Sequence, residues 1–325
     1  MILRLPAAQQ DAVLGAMRAI ALAHGRAGVT AEDRATMIAA AHVVLGRDGA
    51  DVDPDTFVPV DPGALAATMH GDDDARTACR MLAVMALVDG RIDAAKIGLV
   101  GEFATALGVH EDYLRVLAEA AQDEIAQASA CMIRKNAESF PSLDASRLGA
   151  GPLAVFLPYR DGAEDPGLEA RYLALAAAPP GSFGRAFHDH FVANGFRFPG
   201  HPDGLAEGFT TPHDTSHVLS GYSTRPDGEL CVSTFIGAMH PDHPMAAEVL
   251  PVIFSWHLGI RLNDIAGART GAFEPRRFWT AWDRGAATTV DVLDPAWDFW
   301  AATEVPLEEL RRDHGVPPVA PDLLA

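Results

Sequence analysis

The chain has 325 residues, 49% of them hydrophobic and 21% charged, which describes a globular protein with apolar surface for two cores and two domains. Its formal net charge of -19 argues against nucleic acid as a partner, because phosphate neutralisation needs clustered Lys and Arg. The same charge excludes holding an anionic membrane by electrostatics alone.

Cys79, Cys131 and Cys231 are scattered and in no CxxC spacing, so a reduced compartment and buried thiols are expected. The most apolar run, PMAAEVLPVIFSWHLGI (244–260), is interrupted by Glu248 and Pro251 and is too short to span a bilayer. Gln9, Gln10, Asp11 and Arg18 break the N-terminal apolar run, which excludes a secretory signal and leaves the cytoplasm as the expected location.

In chain order, helical patterning dominates. Val13, Leu14, Met17 and Ile20 mark one apolar face. Thr30 to Asp33 reads as a capping box ahead of Met37, Ile38, Ala41, Val44 and Leu45. Asp61-Pro62 is a cap followed by a first-turn proline. Met81, Leu82, Met85 and Val88 form the next face. Ile97, Val100, Phe103 and Leu107 follow, closed by Gly108, and Tyr113, Leu114 and Leu117 continue the pattern. Strand-type alternation is absent, so the predicted class is all-α, with two helical domains.

MIAAAHVVLGRDGADVD (37–53) and MLAVMALVDGRID (81–93) form a weak internal repeat, each an apolar helix running into an Asp-Gly turn and further acid. This helix, DG turn and helix resembles the TerB-like tellurite-resistance domain over about residues 10–130, most closely in ALVDGRID and AAKIGLVGEFATALGV. Asp48, Asp51, Asp53 and Asp55 could bind a cation. They do not follow the Asp-x-Asp-x-Asp-Gly order of an EF-hand, and a solvated capping turn is the expectation.

After residue 136 the texture changes. Residues 137–167 are rich in Pro, Gly, Ser and Asp and read as a linker between a domain at 1–136 and a second helical domain at 168–325. Eight of the thirteen histidines fall between His188 and His257, and all five tryptophans between Trp256 and Trp300. The paired histidines at 188 and 190 and at 240 and 243 are expected at solvated positions, and the tryptophans in the core.

TTPHDTSHVLSGYSTRPDGE (210–229) carries the densest chemistry. Thr211 is a good N-cap and Pro212 a good first helical residue, so His213 and His217 stand at i and i+4 on one face, able to present two imidazoles to one ion. Asp214 completes a capping box or joins the site. Along a straight helix Glu229 would lie roughly 18 Å from His217. Gly221 and the Pro226-Asp227-Gly228 turn let the chain fold back, with Asp227 capping a second helix and Val232, Phe235, Ile236 and Met239 on its apolar face. Such a helical hairpin returns Glu229 to the two histidines.

His213-Asp214-Thr215-Ser216-His217, eleven residues, then Glu229, resembles the H-D-x-x-H-x11-E signature of the ubiquinone (coenzyme Q) biosynthesis protein 4 family. RYLALAAAPPGSFGRAFHDHFVANGF (171–196), AWDRGA (281–286) and VPLEELRRDHGV (305–316) are similar to its flanks, so the resemblance covers about residues 165–316. The chain departs from the family's pattern at Ser223, where glycine is expected, and in RPDGE, where a proline approaches the glutamate.

The resemblance implies a helical fold and one divalent metal (Zn, Mn, Co or Fe) held by His213, Asp214, His217 and Glu229. It also implies a polyprenylated hydroxybenzoate-type precursor of ubiquinone as substrate, with oxidative decarboxylation at ring carbon C1. The implied partners are that polyprenylated aromatic lipid and other ubiquinone-biosynthesis enzymes. Peripheral contact at the inner membrane face and homo-oligomerisation stay open. Val249, Val252, Ile253 and Trp256 are available for a tail groove or for core. Two alternatives remain: a non-catalytic scaffold or lipid carrier in the same pathway, and a metal-dependent hydrolase of the His-Asp type.

Overall fold

The first half of the chain winds into α1 (Ala7–Leu22), α2 (Ala31–Val43), α3 (Pro62–Thr68), α4 (Asp72–Met85), α5 (Ala94–Leu107), α6 (Asp112–Ala121) and α7 (Ile125–Ser139) in a computed structural model that describes residues 5–23, 25, 28–47, 52–263 and 267–324. The expected start and stop signals operate. Thr30 Oγ1 accepts from the Asp33 N–H and the Asp33 carboxylate accepts from the Thr30 N–H, both at 3.0 Å, closing the capping box of α2. Asp61 caps α3 ahead of Pro62, and Gly108 ends α5 in the left-handed region at φ 69°.

Of the acidic turn, Asp48 and Asp51 lie outside the described residues. Asp53 caps the short 3-10 turn Pro54–Thr56, and both Asp53 and Asp55 are ion-paired to Arg34. In the second repeat Asp89 pairs with the buried Lys96 Nζ at 3.1 Å, and Asp33 approaches the same nitrogen at 3.4 Å. These carboxylates therefore hold cationic side chains of the chain itself.

The second half supplies α8 (Pro152–Phe156), α9 (Pro166–Leu173), α10 (Phe183–Asn194), α11 (Glu207–Ser220) and α12 (Pro226–Met239). Then α13 (Leu250–Val252) sits between two widened, π-type stretches, Pro244–Val249 and Ile253–His257. Last come α14 (Pro275–Ala287), α15 (Phe299–Ala302) and α16 (Leu307–Asp313). Among the described residues no strand forms beyond two isolated bridges, Ser182 to Pro306 and Leu258 to Thr270, so the class is all-α. No helix among them is long and apolar enough to cross a membrane. All three cysteines are buried and free.

The packing does not divide where the composition does. One continuous apolar core joins α1, α2 and α4 to α7 with Leu230 of α12, Met245, Val249, Leu250 and Phe254, and Phe278, Trp279 and Trp282 of α14. A second core gathers Phe140, the phenylalanines of α10, the other face of α12 and Phe299. The predicted linker is itself packed: Val155 and Phe156 of α8 are buried, with Phe209 beside them. The division into two domains is thus not confirmed, because α12 and α14 contribute to the core of the first half.

Candidate metal centre

The site is built on the hairpin of α11 and α12, though not as the local signals suggest. α11 begins at Glu207, four residues before the predicted cap, and Pro212 lies inside it. Thr211 caps nothing; its hydroxyl pairs with Tyr172 OH at 2.6 Å. The first turn is held from outside instead. Gly208 meets the Ser142 backbone so closely that a Cβ there would stand 2.6 Å from Ser142 O, and Phe209 packs on Phe140 and Phe156. Those contacts offset the hydrogen bond that proline removes.

At its C-terminus α11 ends in Gly221, left-handed at φ 82°. Arg311 donates to the Val218 and Leu219 carbonyls and Arg284 to Ser220 O, each within 2.9 Å. Cations on the last carbonyls anchor the turn that carries His217. Asp227, the predicted cap of α12, is instead paired with Arg277 at 3.1 Å, and no side chain caps that helix. Gly228 allows the reversal: a Cβ there would stand 2.0 Å from Ser223 O. Glu229 falls in the first turn of α12, as the spacing predicts.

The hairpin brings three of the four predicted residues together. His213, His217 and Glu229 each offer a ligand atom, and these lie within 4.8 Å of one another. His213 Nε2 is 3.5 Å from Glu229 Oε2, and His217 Nε2 is 3.5 Å from Glu229 Oε1. These separations are long for hydrogen bonds. The two His–Glu separations are close to those between ligand atoms around one tetrahedral ion, which at bond lengths of about 2.0–2.1 Å lie about 3.3 Å apart, and the full set, spanning up to 4.8 Å, would draw together on binding.

His217 supplies the strongest test of fit. Its Nδ1–H donates to Tyr222 O at 2.9 Å, so in the neutral, metal-ligating ring Nε2 carries the lone pair and faces the cluster. That Nε2 is buried and has no hydrogen-bond partner. An orphaned buried acceptor beside a second imidazole and a carboxylate is what a divalent metal would satisfy.

Without a metal the cluster is an ion pair. Burial opposes the charge on Glu229, but the His217 and His213 rings outweigh it and hold the carboxyl down at about 2. Burial likewise opposes protonation of His213, and Glu229 outweighs it, raising the imidazole to about 9.

The fourth predicted residue stands apart. Asp214 Oδ1 accepts from His190 Nε2 at 2.8 Å, and the His190 ring stacks on His217 with centroids 5.4 Å apart. Asp214 therefore steadies His190, which in turn braces a candidate ligand. His190 was expected at a solvated position, as was His240; both are largely buried, and His240 Nδ1 is 2.6 Å from Asp291. His190 on α10 and Asp214 on α11 are paired only by the packing of those helices.

A cavity of about 610 Å³ opens onto His213, Asp214 and Glu229. Phe196, Leu205, Phe209, Val252, Trp256 and Leu262 make much of its wall, while Met132, Ile133 and Asn136 enter from α7. Of the four residues available for a tail groove, Val252 and Trp256 line the cavity, whereas Val249 and Ile253 belong to the core. Glu248 also lines it, unassigned from the sequence. Its signal was present: one acid inside an otherwise apolar run.

No protein-family model matches this chain, and no curated protein or solved structure does either.

Proposed function

We propose that this chain is a metal-dependent protein of ubiquinone biosynthesis that acts on a polyprenylated hydroxybenzoate-type precursor and supports replacement of the ring carboxylate at C1 by a hydroxyl. One divalent ion, Zn, Mn, Co or Fe, would be held by His213, His217 and Glu229, with Asp214 and His190 bracing the set. The observation that carries the reading is the convergence of these three ligand atoms, one an orphaned imidazole nitrogen, beside an apolar-walled cavity. Three protein ligands leave coordination positions open, the hallmark of a reactive rather than a purely structural centre.

A bound metal would supply Lewis-acid polarisation of a carboxylate or phenol oxygen, and Fe(II) would also suit oxygen chemistry. The chain does the rest. Tyr222 O holds the His217 ring in one tautomer, and Glu229 places negative charge between two imidazoles. Phe196, Phe209 and Trp256 line the space beside the ligands with aromatic surface, keeping water from the ring and strengthening electrostatics there.

The test is quinone and intermediate profiling in a host lacking its ubiquinone-biosynthesis protein 4 homologue. The full chain should restore quinone and Glu229→Ala should not, with both proteins folded. If Glu229→Ala restores quinone fully, the metal is not catalytic and a scaffold or lipid carrier is the better description. If the wild-type chain fails, the pathway assignment falls.

A further inference from the structure

Glu248 sits where an acid is costly. It is 2% exposed, on the π-type stretch that faces α12, where Gly237 is so close that a Cβ would stand 3.1 Å from Glu248 Cβ. Two side chains of α7 reach it: Ser139 Oγ at 3.0 Å and Asn136 Nδ2 at 3.3 Å, both onto Oε1. No lysine or arginine pairs with it among the described residues. Isolated buried carboxylates cost several kcal/mol and give up their charge instead.

A purely structural role accounts poorly for this arrangement. Asn136 Nδ2 gives its other hydrogen to Ala247 O at 2.9 Å, and Asn136 O, 2.9 Å from Ser139 Oγ, is an alternative acceptor for the single hydroxyl hydrogen that otherwise goes to Glu248. Each donor keeps a partner without the acid. Burial pushes the Glu248 carboxyl up to about 7, against smaller opposing pulls from His213, Ser139, His240 and Asn136. With Oε1 occupied as an acceptor, the proton of the neutral acid belongs on Oε2, which receives no hydrogen bond from the described chain. Glu248 lines the same cavity as His213 and Glu229.

We propose that Glu248 is the cavity's hydrogen-bond donor to its ligand, Oε2–H meeting an oxygen of an aromatic oxy-acid. The ring of that ligand lies against Phe209 and Trp256, and its other oxygen turns towards His213 and Glu229. The inference deepens the reading of the site given above and rests on it for the class of ligand. It also assigns α7 a part in the site, since Asn136 and Ser139 fix the donor and Met132 and Ile133 complete the wall.

The probe is 3-prenyl-4-hydroxybenzoate, titrated calorimetrically into the zinc-loaded full chain and into Glu248→Gln and Glu248→Met. Glutamine keeps an acceptor at Oε1 and an N–H donor in place of Oε2–H, so its affinity should stay within about 3-fold of wild type. Methionine keeps the volume without the donor and should lose about 10-fold or more. Zinc content should be unchanged in both.

Wild-type affinity in Glu248→Met overturns the proposal, as does a loss in Glu248→Gln equal to that in Glu248→Met, which would point to charge. Absence of probe binding by the zinc-loaded wild type also overturns it. If the wild type takes up no zinc yet separates Gln from Met, the metal reading fails and the donor role stands. Should Glu248→Met prove unfolded by circular dichroism, Glu248→Gln alone decides, a 10-fold loss there being fatal.

Discussion

Single side chains carry the chemistry, and their roles can be separated by their contacts. His217 and Glu229 would bind the metal directly. Purified wild-type protein should therefore hold about one equivalent of divalent metal, and His217→Ala or Glu229→Ala almost none. Asp214 and His190 act on the ligands through each other, so replacing either with Ala should weaken metal affinity by about 10–100-fold without abolishing it. His243, paired with Asp112 at 2.6 Å, should be silent when replaced. Equal metal loss in Asp214→Ala and His217→Ala would make Asp214 a ligand. Metal analysis across dialysis against graded chelator reads all five.

Glu248 makes a further prediction at the same scale. Its folded carboxyl is raised to about 7 by burial, above an ordinary value of 4.5, so the folded state holds a proton that the unfolded state has released. The sign follows: this contribution is intact below about pH 4.5 and is lost as pH rises through 7, a decline of about 3 kcal/mol. Glu248→Gln removes that slope. His213 adds loss of stability over a higher window, from its usual 6.5 up to about 9. Urea denaturation of metal-free protein from pH 4.5 to 7 should show wild type falling relative to Glu248→Gln. Parallel curves would refute it.

Between elements, close backbone approach sets the geometry. α14 crosses α12 at Gly285, where a Cβ would stand 2.1 Å from Phe235 O and 3.0 Å from Ala238 Cβ. Gly285→Ala must push the helices apart and should cost about 1–3 kcal/mol or more. Because α12 also carries Glu229, metal affinity should fall with it. Gly98, exposed in α5 with nothing within 4 Å of a Cβ, is the control: Gly98→Ala should stabilise by about 0.5–1 kcal/mol. Thermal melts of both variants test the pair, and a harmless Gly285→Ala would mean the crossing is looser than described.

Across the whole molecule, the shared core predicts one cooperative unfolding transition rather than two. Leu230, Phe254, Phe278 and Trp279 would each lose apolar contacts if residues 1–136 were removed, and Asn136, Met132 and Ile133 would leave the cavity wall. Cleavage within residues 137–167 should therefore leave no stable C-terminal fragment with its metal. A folded fragment over 168–325 that retains metal, recovered after limited proteolysis, would re-establish the division that composition suggests.

The helical class, the capping box at Thr30 and Asp33, the stop at Gly108 and the hairpin that returns Glu229 to His213 and His217 were all legible in the sequence. Each rests on local rules of periodicity, caps and spacing over a few turns. Tertiary packing decided the rest. It drew Pro212 into the interior of α11, turned Asp227 to Arg277, gave Asp214 to His190, and set Glu248 against Asn136, 112 positions away in sequence. Propensity weighs tenths of a kcal/mol per residue, whereas a buried contact or a buried unpaired polar group weighs one to several, so packing overrides the local signal wherever they compete.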